Sequence, residues 1–535
     1  MTISTLLHDL IEQSACKYPD AQALLFKDKI VTYENLAQQV RLVASGIRDI
    51  GLARSERVAI YLPKHIETVI SFFSVSRAGG VFVPVNPILK PKQVAHILCD
   101  CNARILITNK TRYELLKDSI PDCHDLQTII LIDSDDSTTR HYSQVNIVSW
   151  KHVSSVGGEF TSEKTIDTDM ASILYTSGST GKPKGVVLSH RNMITGAYSV
   201  SEYLGNNPDD RLLAVLPFSF DYGFSQLSTA FCTGASVALM DYLLPRDVIN
   251  AVARYKITGL AAVPPLWIQL AQLQWDDAAS DSLRYITNSG GAIPGSIIRT
   301  LQNKLSGISI YLMYGLTEAF RSTYLPPEQL EQRPDSIGKA IPNAEVLVVR
   351  EDGSICDPGE PGELVHRGSL VAMGYWNDEE KTAERFRSPP GVDPSIKIKE
   401  TAVWSGDTVR MDEEGYLYFI GRQDDMIKTS GYRTSPTEIE EIVYGTGLVD
   451  QAAAIGVPHP VMGQAIVVIV TTPAGTDSVD TEQVLSQCKQ NLPAYMVPAM
   501  ICVKDEMPRN PNGKIDRKIL LEEFKNLFTV PENEK

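Results

Sequence analysis

The chain has 535 residues, 43% of them hydrophobic, and a formal net charge of −15. That length exceeds what a single hydrophobic core usually serves, so two or more domains are expected. The acidic balance argues against nucleic acid and against anionic membrane surfaces as partners.

The eight cysteines, Cys16, Cys99, Cys101, Cys123, Cys232, Cys356, Cys488 and Cys502, are scattered and form no C-x-x-C pair. This is the usage of reduced thiols in a cytoplasmic protein, not of a disulfide framework or a metal site. The first residues lack the basic start and apolar core of a signal peptide, and no apolar run reaches membrane-spanning length.

In chain order, Thr32 is expected to open a helix, because Leu36, Val40, Val43 and Ile47 recur at helical spacing and Gly51 follows. The run 57–62 reads as a strand, and a helical segment leads on to a second apolar run at 79–85. Short apolar runs bounded by polar turns recur at 104–108 and 128–132. Strands alternating with helices predict an α/β fold with parallel-type sheets. The polar, Gly-rich stretch 154–168 reads as a loop.

An apolar strand at 170–174 then runs into YTSGSTGKPKG, residues 175–185. The hydroxyls of Thr176, Ser177, Ser179 and Thr180 alternate with Gly178 and Gly181, and Lys182 and Lys184 follow. Glycines let a backbone turn its N–H groups toward one point, hydroxyls donate to phosphate oxygens and lysines supply charge. The pattern fits polyphosphate binding. It is not a P-loop: Thr176 stands where the first glycine belongs, and Pro183 replaces the magnesium-binding hydroxyl.

These eleven residues resemble the signature loop of the adenylate-forming superfamily of acyl-CoA synthetases, aryl-CoA ligases, luciferases and nonribosomal adenylation domains. The resemblance implies ATP and Mg2+ as cofactors, with Thr176 and Glu318 toward the metal. It also implies two half-reactions: a carboxylate and ATP give acyl-AMP, and a thiol of CoA or carrier-bound phosphopantetheine then gives a thioester. An amino-acid adenylation enzyme loading a separate carrier protein is the alternative within the family.

Residues 213–217, 261–265 and 283–287 read as further buried strands. After the first come Phe220 and Asp221, where the superfamily lines its acid pocket. Many acyl- and aryl-CoA ligases carry histidine at the position of Phe220, and the Phe-Asp pair is similar to that of amino-acid adenylation domains. The same resemblance places Ser225, Met313 and Arg321 at that pocket. A buried Asp221 needs a cation. A substrate ammonium could supply it, or Arg321 could, leaving the pocket to an ordinary or hydroxylated acid.

The remaining motifs occur in family order. Gly290, Gly291 and Ala292 match the adenine segment. In Tyr314-Gly315-Leu316-Thr317-Glu318, the tyrosine and glycine match adenine contacts, Thr317 an α-phosphate ligand and Glu318 a Mg2+ ligand. The turn-rich part 344–375 resembles a small barrel-like subdomain, and His366 reads as structural. Asp407 matches a ribose ligand, Arg422 a ribose or phosphate contact, and Asp424 the hinge. Lys514, in Asn-Gly-Lys-Ile-Asp-Arg-Lys, matches the catalytic lysine. The expected organisation is a large N-terminal domain, 1–421, and a small α+β C-terminal domain, 422–535, that moves about the hinge. The runs 314–327 and 404–438 are most similar to AMP-forming acyl-CoA ligases associated with exosortase loci.

Overall fold

The computed structural model describes residues 5–528 apart from 135–139, 143, 156–163, 177–182, 292, 294, 394, 396–399, 423–425, 474, 475, 477 and 509–514. The side chains of 140–142, 296, 421, 422, 437 and 518 are likewise outside the description.

The helix that the Leu36/Val40/Val43/Ile47 spacing predicts is Tyr33–Asp49, with those four residues buried. Its N-cap is Thr32, whose Oγ1 accepts from Asn35 N at 3.3 Å, and Gly51 follows at φ +100°. That conformation is open to glycine and strained for most other residues.

A nine-stranded sheet carries the first half of the chain. Its middle runs Met170–Thr176, Val81–Pro84, Arg57–Tyr61, Ala103–Thr108, Thr128–Leu131, Val145–Ser149, with all neighbours parallel. Antiparallel strands finish both edges, Lys184–Ser189 with Gly374–Tyr375 at one and Arg140–Tyr142 at the other. These central strands read as continuous Val/Ile/Leu runs because both faces are covered.

The second sheet has fourteen strands. Its parallel part runs Ser309–Tyr314, Tyr285–Asn288, Gly259–Ala262, Arg211–Ala214, Ser236–Leu239, Gln22–Phe26. Beyond Ser309–Tyr314 it continues antiparallel through Thr323–Leu325 and Ser336–Ala340 into Leu417–Arg422, Ala402–Met411, Pro361–Gly368 and Ala344–Val349.

Helices Ile66–Arg77 and Asp221–Thr233 lie in the core that joins the two sheets. Phe72, Phe82 and Phe224 meet there with ring centroids 5.1 to 5.5 Å apart. Rings of this size bury much apolar area where the two sheets meet. The carboxyl ends of both sets of parallel strands therefore open toward common ground, where α/β sheets bind ligands.

The C-terminal part has its own five-stranded sheet, Tyr432–Thr434, Ile427–Thr429, Gly463–Val470, Ala452–His459, with Met500–Val503 beside Gly463–Val470. Helices Pro436–Gly445 and Thr481–Asn491 cover it around a separate core that includes Ile427, Ile439, Val468 and Val484.

Three strand expectations need correction. The run 261–265 is strand only to Ala262, and Pro264–Gln272 is a helix, since proline's fixed φ and missing N–H suit a first helical turn. Strand 283–287 begins at Tyr285, and strand 213–217 lies at Arg211–Ala214. His366 is fully buried with Nδ1 2.8 Å from Ser322 Oγ, and burial lowers its pKa to about 4.

Candidate active site

Four groups of residues converge where the two large sheets open. In the first, Thr176 ends strand Met170–Thr176 and pairs in register with Lys184, the first residue of the returning strand. Ser177, Gly178, Ser179, Thr180, Gly181 and Lys182, which connect them, lie outside the described residues. Lys184 Nζ stands 5.4 Å from the centre of the Tyr375 ring, a cation–π distance. Burial lowers its pKa, the neighbouring Lys381 charge adds to this, and Glu318 opposes it.

Glu318 sits with Thr317 in a single 3₁₀ turn, Thr317–Ala319, directly beyond strand Ser309–Tyr314. Leu316 occupies the N-cap of that turn. Tyr375 Oη donates to Glu318 Oε1 at 2.7 Å. Burial raises the Tyr375 pKa, and the Glu318 charge raises it further, so the phenol keeps its proton and donates. Tyr375 thus neighbours both Glu318, through its hydroxyl, and Lys184, through its ring.

The second group joins the two strands that carry the nucleotide candidates. The hydroxyl of Tyr314 donates to Asp407 Oδ2. Asp407 is fully buried on strand Ala402–Met411 and stands opposite Arg422 in register. The adjacent Gly406 has φ +68°, a left-handed conformation that favours glycine, and it lies against the Arg385 guanidinium.

The third group is the turn after strand Tyr285–Asn288. Asn288 Nδ2 donates to Gly291 O at 3.0 Å. Gly290 has φ +83° and faces the carbonyl of Gly431 from the C-terminal sheet, 3.7 Å from where a Cβ would stand. Ala292 lies outside the described residues. Ser430 and Gly431, at φ 52° and 82°, form the two-residue turn between Ile427–Thr429 and Tyr432–Thr434. That hairpin brings Gly431 against Val263.

The fourth group is a buried ion pair. Arg321 Nη1 donates to Asp221 Oδ2 at 2.9 Å, and Nη2 donates to Ser225 Oγ at 2.9 Å. Gly315 packs close to this segment, and a Cβ there would lie 3.3 Å from Arg321 Cα. Met313 Sδ accepts from Tyr203 Oη at 2.9 Å.

A cavity of about 460 Å³ opens beside these groups, lined by Phe218, Ser219, Phe220, Val263, Ser430 and Tyr432 among others. Phe220 meets Tyr432 edge to face, with centroids 5.0 Å apart. Of the pocket candidates, Phe220 lines this cavity, whereas Asp221, Ser225, Met313 and Arg321 are not among its lining residues. Lys64, which also lines the cavity, is buried, its Nζ donating to Asp241 Oδ1 at 2.9 Å and Val215 O at 3.0 Å.

Asp424 and Lys514 lie outside the described residues, as does the Arg422 side chain. Sequence reasoning missed Tyr375, Tyr432, Gln93 and Glu438. Only Tyr432, next to Gly431 in the hairpin, had a local signal that could have pointed to it.

The AMP-binding enzyme family matches residues 11–376, and the AMP-binding enzyme C-terminal domain matches residues 438–514. A long-chain-fatty-acid–CoA ligase of Escherichia coli O157:H7 is 28% identical over 97% of this chain and 94% of its own. Tyrocidine synthase 3 of Brevibacillus parabrevis is 29% identical over 96% of this chain, a match that spans 8% of that much longer protein. Among solved structures, the o-succinylbenzoate CoA synthetase of Bacillus subtilis, bound with a product analogue, superposes with a TM-score of 0.81. It is 24% identical and covers 96% of this chain and 98% of its own.

Proposed function

The chain belongs to the AMP-binding enzyme family, and on that premise we propose that it is an AMP-forming acid–thiol ligase. It joins a carboxylic acid to AMP with release of pyrophosphate, then passes the acyl group to the thiol of CoA or of carrier-bound phosphopantetheine. The observation that carries this reading is the convergence of Thr176, Lys184, Glu318 and the Tyr314–Asp407 pair from separate strands onto one opening.

In the first half-reaction a carboxylate oxygen attacks the α-phosphorus of ATP and pyrophosphate leaves. Both reactants are anionic, so the protein's contribution is positioning and positive charge. Lys184, with the loop 177–182, takes the phosphates. Thr317 holds the α-phosphate, and Lys514 is assigned the positive charge that offsets the repulsion between carboxylate and phosphate. Tyr314 and the Gly290–Gly291 turn flank the adenine, while Asp407 and Arg422 take the ribose. The donor set fits Mg2+: Glu318 offers a fixed carboxylate and Thr176 a hydroxyl, and a hard cation would complete its shell with phosphate oxygens and water. Bound there, it would neutralise charge on the phosphates.

In the second half-reaction the thiol sulfur attacks the acyl carbonyl and AMP leaves. The cavity between Phe220 and the 430–432 hairpin is an approach for that thiol. A hinge at Asp424, between domains 1–421 and 422–535, lets the small domain offer Lys514 first and this hairpin second. An amino-acid adenylating enzyme loading a separate carrier would need Asp221 free for the substrate ammonium. Among the described residues no helix is long and apolar enough to cross a membrane, and a demand for ATP fits a cytoplasmic location. The test is ATP–pyrophosphate exchange over fatty, aryl and amino acids. Acid-dependent exchange supports the reading, and exchange with none of them refutes it.

A further inference from the structure

We propose that Arg321 sets the substrate class by holding Asp221 in an internal ion pair, so that acids without an α-ammonium group are activated and amino acids are rejected. The proposal rests on the ligase reading above and assigns the acid that this site takes.

The cation at the site belongs to the protein. Arg321 is 3% exposed and Asp221 8%. Both terminal nitrogens of the guanidinium are used, one on Asp221 and one on Ser225. Its centre lies 4.8 Å from the Tyr222 ring and 5.9 Å from the Phe320 ring. A planar cation satisfied at its edge and covered by rings is held far more firmly than a lysine would be.

The backbone is arranged to deliver it. Phe320 has φ +54°, a left-handed conformation that a bulky residue keeps only where its surroundings enforce it. The Phe320 ring in turn sits where a Cβ on Gly196 would be, so that glycine makes room for it.

The pair adjoins, along the chain, the residues of the cavity wall and of the nucleotide side. Asp221 opens helix Asp221–Thr233 immediately after Phe220, which lines the cavity. Tyr222 Oη lies 2.5 Å from Thr287 Oγ1, on the strand that leads into Gly290. Arg321 follows the turn that carries Thr317 and Glu318. The ion pair is thus tied along the chain to Phe220 of the cavity wall at one end and to the turn of Thr317 and Glu318 at the other.

An amino acid seated here would bring its ammonium to a carboxylate already neutralised. It would have to displace Arg321 from Asp221 and bury a second positive charge beside it, which a low-dielectric site resists. Arg321 Nε is also buried without a hydrogen-bond partner among the described residues. The site is therefore rich in donors, which repel an ammonium and suit an oxygen.

Matched pairs of acids differing only in the α-amino group, such as 3-phenylpropionate and phenylalanine or butyrate and 2-aminobutyrate, test this by ATP–pyrophosphate exchange. The wild-type kcat/KM is expected to favour the des-amino member by roughly 100-fold. Arg321→Met leaves Asp221 bare and is expected to shift that ratio toward the amino acid by at least about tenfold. Asp221→Asn keeps the cation and the shape. It is expected to retain rejection of amino acids and to improve acids with a second carboxylate by about tenfold, which carries the test if Arg321→Met does not fold. A wild-type enzyme that uses the amino member as well as its partner overturns the proposal, as does an unchanged ratio in folded Arg321→Met. Absence of exchange with every pair overturns the ligase reading itself, and the proposal with it.

Discussion

The side-chain amide of Gln93 donates to Glu438 Oε1 at 2.8 Å, joining residues 345 positions apart on two different sheets' covering helices. Gln93 is itself fixed, its Oε1 accepting from Lys90 N at 3.1 Å where helix Pro91–Asp100 begins. Burial pushes the Glu438 pKa up to about 7, against the Gln93 bond and with help from the charge of Glu441. The ionisable Tyr495 also faces it, stacked on Tyr432 at 3.7 Å. A small domain swung away would return Glu438 to water and to an ordinary pKa of about 4.5. The docked form thus binds the proton more tightly. Docking weakens as pH rises from about 4.5 to about 7 and levels off above. Thioester formation from supplied acyl-AMP should fall across that window, by up to roughly tenfold per pH unit, while adenylation does not follow it. Glu438→Gln keeps an acceptor for Gln93 and should flatten the profile. The same slope in that variant would contradict the assignment.

Tyr375 fixes Glu318 through a hydrogen bond to a charged acceptor, worth roughly 1.5–3 kcal/mol. Tyr375→Phe should therefore lower adenylation by roughly tenfold or more and raise the Mg2+ concentration needed for half-maximal exchange. An unchanged Mg2+ requirement would mean that Glu318 does not face the metal.

What could be read from the chain, and what could not, divides by sequence distance. Helix Tyr33–Asp49 was legible because its cap, its apolar spacing and its terminal glycine all lie within one short window. The nucleotide-site candidates were legible as compact motifs, each within one strand-end turn. Pro264 misled because an apolar Ala-Ala-Val-Pro-Pro run suits both a strand end and a first helical turn, and only the fold decides. Tyr375 could not be matched to Glu318, since they stand 57 positions apart and nothing local signals their pairing. Gln93 and Glu438 are hidden in the same way, as ordinary helix residues whose meaning comes from docking. Asp221 and Arg321 could be named as possible partners, yet only the geometry puts the guanidinium on the carboxylate.

Lys514 is assigned to the adenylation step from its Asn-Gly-Lys-Ile-Asp-Arg-Lys setting. Loss of an electrostatic stabiliser of this kind costs roughly 10²–10³-fold. Lys514→Ala should slow acyl-AMP formation by that factor and leave transfer from supplied acyl-AMP largely intact. Equal losses in both half-reactions would remove the assignment.

Asp424 is assigned as the hinge. Proline fixes φ and restricts the residue before it, which should hold the small domain in one orientation. Asp424→Pro is expected to retain ATP–pyrophosphate exchange while thioester formation falls to a small fraction of wild type. Thioester made at the original rate would show that the chain turns elsewhere.

The central claim is that ATP is cleaved between its α- and β-phosphates to drive thioester formation. It is tested most directly by supplying α-labelled ATP, Mg2+, CoA and a panel of carboxylic acids and identifying the labelled product. The account predicts labelled AMP in equal amount to acyl-thioester and pyrophosphate, formed only when an acceptable acid is present. Labelled ADP with inorganic phosphate, or AMP formed without regard to the acid, would contradict it.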